Sequence, residues 1–220
     1  MKELDASQKQ SSNSGFTASR SSLARLAGPL AFAAGLLMVV VEVVIFPIVD
    51  RDDRVGTSTN SVYRVSGVVY FVAFCLLLLA VVAAYAWEAQ EAGRFGVVGV
   101  IAAIVGIMFL GGDLWFETFY VTYLADTAPE VLDADPAGLL VIGAVSSYLL
   151  FAIGWALFGI ASLRAGVFPR AICVAIVIGG LIGFQALLPP FGIPLGLAMI
   201  WLGVWMIRTP VPASVTEAVS

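Results

Sequence analysis

Six stretches of this chain, 26–49, 65–87, 96–120, 139–163, 171–188 and 193–207, are almost continuously apolar. A helix needs roughly 20 apolar residues to cross the ~30 Å hydrocarbon core of a bilayer, and it satisfies its own backbone groups where no water can. The pattern therefore predicts an all-α fold, a polytopic membrane helical bundle with six transmembrane helices. The last two runs are short and separated only by Pro189-Pro190-Phe191-Gly192, which reads as a tight turn between antiparallel helices. Residues 1–22 are rich in Ser, Gln and Lys and predict a disordered cytoplasmic tail before a 23–208 transmembrane domain, with a second tail over 209–220. The first apolar run is too long for a signal peptide, contains Glu42 and ends without a small-x-small cleavage site.

Polar residues inside these runs stand out because ionisable groups at membrane depth are costly and mark functional sites. Asp113 and Glu117, in Gly106-Ile-Met-Phe-Leu-Gly-Gly-Asp-Leu-Trp-Phe-Glu-Thr-Phe-Tyr120, lie one helical turn apart and are expected on one face. Counting roughly 1.5 Å per residue from the ends of the runs brings Glu42, Asp113, Gln185, Tyr70 and Ser146-Ser147-Tyr148 to one layer in the outer half of the membrane. That convergence predicts a cavity opening outward; the alternative is that these groups hydrogen-bond helices to one another. Glu42, Asp113 and Gln185 are 71 and 72 residues apart, and Ala92-Gly93-Arg94-Phe95 precedes Ala165-Gly166-Val167-Phe168 by 73, a spacing that suggests three hairpin repeats. Pro47, five residues after Glu42, is expected to bend the first helix, and Trp87-Glu88 to anchor the second at the interface.

Composition sharpens the class. The 220 residues are 60 % hydrophobic, with a mean hydropathy of +1.00, far above a soluble domain of this length. Of 11 basic residues, Lys2, Lys9, Arg20, Arg25, Arg94, Arg164, Arg170 and Arg208 fall on one predicted side, leaving only Arg51, Arg54 and Arg64 on the other. Both termini are therefore expected in the cytoplasm, in a plasma-membrane protein. The net charge of −4 comes in part from the outer-loop acids Asp126, Glu130, Asp133 and Asp135 and carries no nucleic-acid meaning. The chain has no His, which excludes Ser-His-Asp triads and His-ligated zinc or haem. Cys75 and Cys173 lie at different depths, so no disulfide is expected.

No Lys or Arg falls within the runs, so Glu42, Asp113 and Glu117 are expected to lack a cation at their depth and to hold at least one proton between them. A protonated carboxylic acid among aromatic rings can donate a proton and face the cation that forms. Trp115, Phe116, Phe119, Tyr120, Tyr123, Tyr70, Tyr148 and Phe184 supply such rings near the acidic layer. Asp50-Arg51-Asp52-Asp53 matches the D-x-D-D acid motif of soluble class II terpene cyclases, but it opens a charged loop, where a solvated turn, or contact with a polar head group or diphosphate, is the competing reading.

The six-helix layout, Phe46-Pro47 after an acidic first helix, the 111–117 segment and the Leu188-Pro-Pro-Phe-Gly-Ile-Pro194 turn resemble small actinobacterial membrane proteins over residues 25–208. They are more loosely similar to membrane-integral terpene cyclases of bacterial indole-terpenoid pathways, a resemblance that implies embedded carboxylates acting as acids. The fungal cyclases of this kind carry seven helices and an acid in the last, where this chain has none. The reading that follows is acid-initiated cyclisation of a lipophilic prenylated substrate, without cofactor or metal. Asp113 or Glu117 would be the acid and Glu42 the second carboxylate, with Tyr70, Trp115, Phe119, Tyr120, Tyr148 and Gln185 lining the substrate path. Oligomeric state stays open. The alternatives are a carrier or channel for protons or cations, and a non-catalytic membrane subunit.

Overall fold

The computed structural model describes residues 2–50, 52–132, 134, 138–185 and 188–211, with side chains of the first helix described from residue 24. Among them no strand occurs, and the chain is a succession of helices. α1 spans Lys2–Ile45, α2 Arg54–Thr59 and α3 Ser61–Trp115, followed by a π-helical turn over Phe116–Val121. α4 (Thr122–Thr127) and α5 (Pro129–Leu132) are short; α6 spans Gly138–Ala165, α7 Arg170–Ile182 and α8 Ile193–Arg208, with a 3-10 turn, Gly183–Gln185, ending α7. Three stretches, Ala24–Ile45, Ser61–Thr127 and Gly138–Ala165, are long and apolar enough to cross a membrane, and two shorter apolar helices accompany them. This is the character of a membrane protein.

The breaks follow local chemistry. α1 stops at Ile45 because Pro47 disfavours helical backbone in the residue before it; the proline ends the helix where a bend is expected from sequence. Upstream the helix continues to Lys2, through the stretch expected to be a disordered tail; a polar segment joined to a formed helix needs no nucleus of its own. Asn60 caps α3 by accepting from the Val62 and Tyr63 N–H groups at 2.9 and 3.3 Å. Gly93, at φ 56°, divides α3 into two arms, a backbone conformation that a residue with a Cβ rarely adopts. The resulting turn lies at Ala92-Gly93-Arg94, where the sequence places it.

Neighbouring helices run antiparallel. In the hairpin of α3, Gly67 faces Thr118 and Gly111 faces Phe74, while α1 meets the first arm through Trp87 with Ala24 and Glu42 with Tyr70. The second arm crosses α6 where Gly106 meets the Leu150 and Phe151 backbone, α6 meets α7 at Gly159, and Gly35 and Gly203 seat α8 against α1. Since a Cβ on Gly106 would lie 2.5 Å from the Leu150 oxygen, the missing side chain is what lets these backbones approach. Small residues at crossings are how helices associate where hydrophobic burial supplies no drive. α1, the two arms of α3, α6, α7 and α8 thus form an up-and-down bundle around Phe74, Leu77, Phe151, Trp155 and Met199.

α2 folds back over one end of the bundle, where Thr57 and Ser58 are buried, so part of the loop expected to be an exposed charged turn is a lid, while Asp50, Asp52 and Asp53 ahead of it are exposed.

Candidate functional site

Beneath α2 lies a cavity of about 370 Å³. Its deep part is formed by Val41 of α1, Tyr70 and Leu114 of the two arms of α3, and Tyr148 of α6. Nearer the lid, Asp50, Arg54, Thr57, Ser58, Tyr63, Glu117 and Thr118 add polar groups. Below the cavity, Met38, Phe74, Leu77, Phe151, Leu195 and Met199 are all buried and close it off.

Glu42 is fully buried beside the cavity wall. The Tyr70 hydroxyl, itself on the cavity wall, donates to Glu42 Oε1 at 2.7 Å, while Oε2 has no hydrogen-bond partner. Glu42 is thus connected to the cavity through one phenol. A carboxyl so buried, with no cation hydrogen-bonded to it, is cheapest as the neutral acid, because the isolated anion forfeits its hydration.

Glu117 is different. Arg54 Nη2 donates to Glu117 Oε1 at 2.8 Å, so the expectation that this acid has no cation at its depth is overturned. Sequence places Arg54 in an outer loop; only the folding of α2 onto the bundle brings it down. The lid has further ties. Arg64 pairs with Asp126 at 2.6 Å, and its Nε donates to the Ser58 carbonyl at 2.9 Å. Asp53 caps α2 through the Gly56 N–H at 2.7 Å, and Asp50 Oδ1 accepts from the Asp52 N–H at 3.0 Å. The D-x-D-D acids at 50, 52 and 53 therefore shape a turn and a helix cap, and Arg51 lies outside the described residues.

Asp113 does not line the cavity. It is half-buried, near Tyr148 and Glu117, at the edge of the face that Leu114, Glu117 and Thr118 turn to the cavity, and a π-helical turn begins just after it at Phe116. π-turns often sit at functional sites. Trp115, Phe119 and Tyr120 are 50 %, 42 % and 46 % exposed and stack with one another's neighbours on the outside of the bundle, so the expectation that they line the substrate path is overturned. Gln185 sits in the 3-10 turn after α7 and is likewise off the cavity. Ser146 and Ser147 bond back to the Ile142 and Gly143 carbonyls of their own helix, the structural use of such residues. Of the predicted site residues, the structure brings together Glu42, Tyr70, Glu117 and Tyr148.

Sequence reasoning missed Tyr63, Gly67, Leu114, Thr118 and the lid hydroxyls Thr57 and Ser58. A signal existed for two of them, since Tyr63, Gly67 and Tyr70 fall at i, i+4 and i+7 on one helix face. Trp87 and Glu88, expected at an interface, are buried at the opposite end of the bundle, where Trp87 Nε1 donates to the Ala24 carbonyl at 2.6 Å and Ser162 Oγ donates to Glu88 Oε1 at 2.9 Å. Among the described residues no group of three potential metal ligands occurs.

The Arg54–Glu117 pair is partly solvated, and such pairs contribute about 0.2–1 kcal/mol, so it is a latch that can open. In a protein with Cys75 and Cys173 replaced by Ala, Ser58→Cys should react slowly with a maleimide, and adding Arg54→Ala should speed the reaction up to about fivefold. An unchanged rate would show that the pair does not hold the lid.

No protein-family model, curated protein or solved structure matches the chain.

Proposed function

We propose that this chain is a membrane-integral enzyme of the terpene-cyclase kind, which protonates an alkene or epoxide of a lipid-soluble prenylated molecule held in the cavity beneath α2. The observation that carries this reading is the fully buried Glu42 carboxyl, joined to a largely apolar cavity by the Tyr70 hydroxyl alone. The volume of about 370 Å³ falls within the range of small-molecule sites, about 300–1,000 Å³.

In this mechanism the acid is Glu42, in place of Asp113 or Glu117. The substrate's reactive end rests against Tyr70 and its polar end under the lid. When the phenol turns its O–H toward the substrate, the protonated Glu42 donates to the Tyr70 oxygen instead, and the Tyr70 hydroxyl gives its proton to the alkene carbon or epoxide oxygen as the Glu42 proton replaces it. The π pair, or the breaking C–O bond, leaves a carbocation that a second alkene attacks to close the ring. Tyr63 and Tyr148 present π faces to that cation. Loss of a proton from the carbon next to the final cation to the Tyr70 oxygen, as the phenol proton passes back to Glu42, restores the acid and leaves an isomer of the substrate. Glu117, already paired with Arg54, holds the lid.

A carrier needs a polar route through the bundle, and the closed apolar layer under the cavity favours a site that opens at one end only. The bundle is proposed to cross the plasma membrane six times, with both termini in the cytoplasm and the lid outside, on the distribution of basic residues. In cells carrying the cysteine-free background, Thr59→Cys should react with an impermeant maleimide and Glu91→Cys should not; the reverse pattern would turn the cavity inward.

The function is tested by incubating the purified protein with farnesylated and geranylgeranylated aromatic acceptors and their epoxides, and following products of unchanged mass. Glu42→Gln should melt close to the parent while turnover falls by about 10² or more. Asp113→Asn should turn over normally. A Glu42→Gln variant that melts lower yet turns over normally would make the acid a helix tie. If nothing prenylated reacts while acidification drives cation flux in liposomes, the carrier reading replaces this one.

A further inference from the structure

The turn between α7 and α8 also reaches the acid. Gly192, the residue that caps α8, turns its amide toward the Glu42 carboxyl. A Cβ built on Gly192 would lie 2.5 Å from Tyr70 Oη and closer still to Glu42 Oε1. These are the two atoms whose hydrogen bond joins the acid to the cavity. Among the described residues of the turn, Leu188 lines the cavity wall and Phe191 is half-buried.

Two features determine what a side chain at 192 would do. The backbone there is at φ −80° and ψ −18°, an ordinary helical conformation, so alanine meets no torsional penalty. The turn is also held in place, with the Phe191 and Ile193 N–H groups donating to the Leu188 and Pro190 carbonyls at 3.1 and 3.2 Å and the Gly196 N–H to the Gly192 carbonyl at 3.0 Å. Pro189, Pro190 and Pro194 fix φ around it. The backbone is therefore the stiff partner. The atoms that must give way are the ends of two flexible side chains, which have to move about 1 Å to reach ordinary contact. A 2.7 Å hydrogen bond does not survive that displacement of both its ends with its geometry intact.

We propose that Gly192 is the positioning residue of the acid: by presenting bare backbone to Glu42 and Tyr70, it holds the carboxyl and the phenol in the alignment that proton delivery requires. The inference rests on the reading of Glu42 and Tyr70 as the proton-donating pair, and it concerns a residue that touches no substrate. A misplacement of about 1 Å near reacting groups can cost about 10² in rate, which sets the size of the effect.

The test compares the parent, Gly192→Ala, Tyr70→Phe and the double variant, with the infrared band of the Glu42 carboxyl identified as the one lost in Glu42→Gln. Gly192→Ala should melt within a few degrees of the parent, shift the Glu42 band as a carboxyl does when it loses a donor, and lower kcat by about 10- to 100-fold with KM nearly unchanged. In the Tyr70→Phe background, where the donor is already gone, the same alanine should move the band little. A folded Gly192→Ala protein with the parent's band and the parent's kcat overturns the proposal. If Gly192→Ala does not fold, removing the Tyr70 hydroxyl should restore folding; a double variant that still fails also overturns it. Because the band needs no substrate, a shifted band in a protein that turns over nothing leaves the positioning role standing and removes the cyclase reading instead.

Discussion

The cost of keeping carboxyl groups inside an apolar bundle governs this molecule, and each acid meets it differently. Glu42 is buried against the Tyr70 hydroxyl and Glu88 against the Ser162 hydroxyl, each with one oxygen left unpartnered. Glu117 draws down an arginine from the segment between α1 and α3. Asp113 stays half-buried at the edge of the bundle. Hydroxyl partners supply one hydrogen bond and no charge, so they suit a neutral acid; an arginine partner suits a carboxylate. The same residue type thus takes a neutral hydroxyl partner at position 42 and a charged one that ties down α2 at 117.

The mechanical role organises one end of the fold. Capped by Asp53 and tied through Arg54 and Arg64, α2 lies over the cavity and buries Thr57 and Ser58. Both acids of those ion pairs, Glu117 and Asp126, belong to the segment that begins with the π-helical turn, so the winding of residues 116–121 sets how the lid is held. Elsewhere the glycines at the helix crossings hold backbones close, and Gly192, in the α7–α8 turn, brings that closeness to the acid itself.

The helical fold was legible in the sequence because an unbroken apolar run of about 20 residues has few other solutions. The breaks at Gly93 and at the Pro189-Pro190-Phe191-Gly192 turn were legible for the same reason, since glycine and proline act locally. Depth arithmetic also brought Glu42, Tyr70 and Tyr148 to one end of the bundle. Depth says nothing of rotation about a helix axis, however, and that is where Trp115, Phe119 and Tyr120 went astray: they share a level with the cavity but face outward. Asp113 went astray by the same rotation: Leu114, Glu117 and Thr118 form the face on the cavity, and Asp113 lies at its edge. Arg54 and Gly192 escaped because their roles depend on a loop and a turn folding back onto distant helices, contacts separated by 63 residues and by 150.

What unites these observations is a carboxyl buried behind a phenol that lines the cavity, and the proposed proton between them. Running the reaction in D2O with a prenylated acceptor reports on that proton alone. If Glu42 and Tyr70 deliver it, the protein exchanges the proton with solvent between turnovers, and the cyclised isomer should gain one deuterium at the carbon, or oxygen-derived hydroxyl, that received it, with formation of this product lost in Glu42→Gln. A cyclised product from an alkene substrate that carries no solvent deuterium, or one formed equally well by Glu42→Gln, would contradict the account.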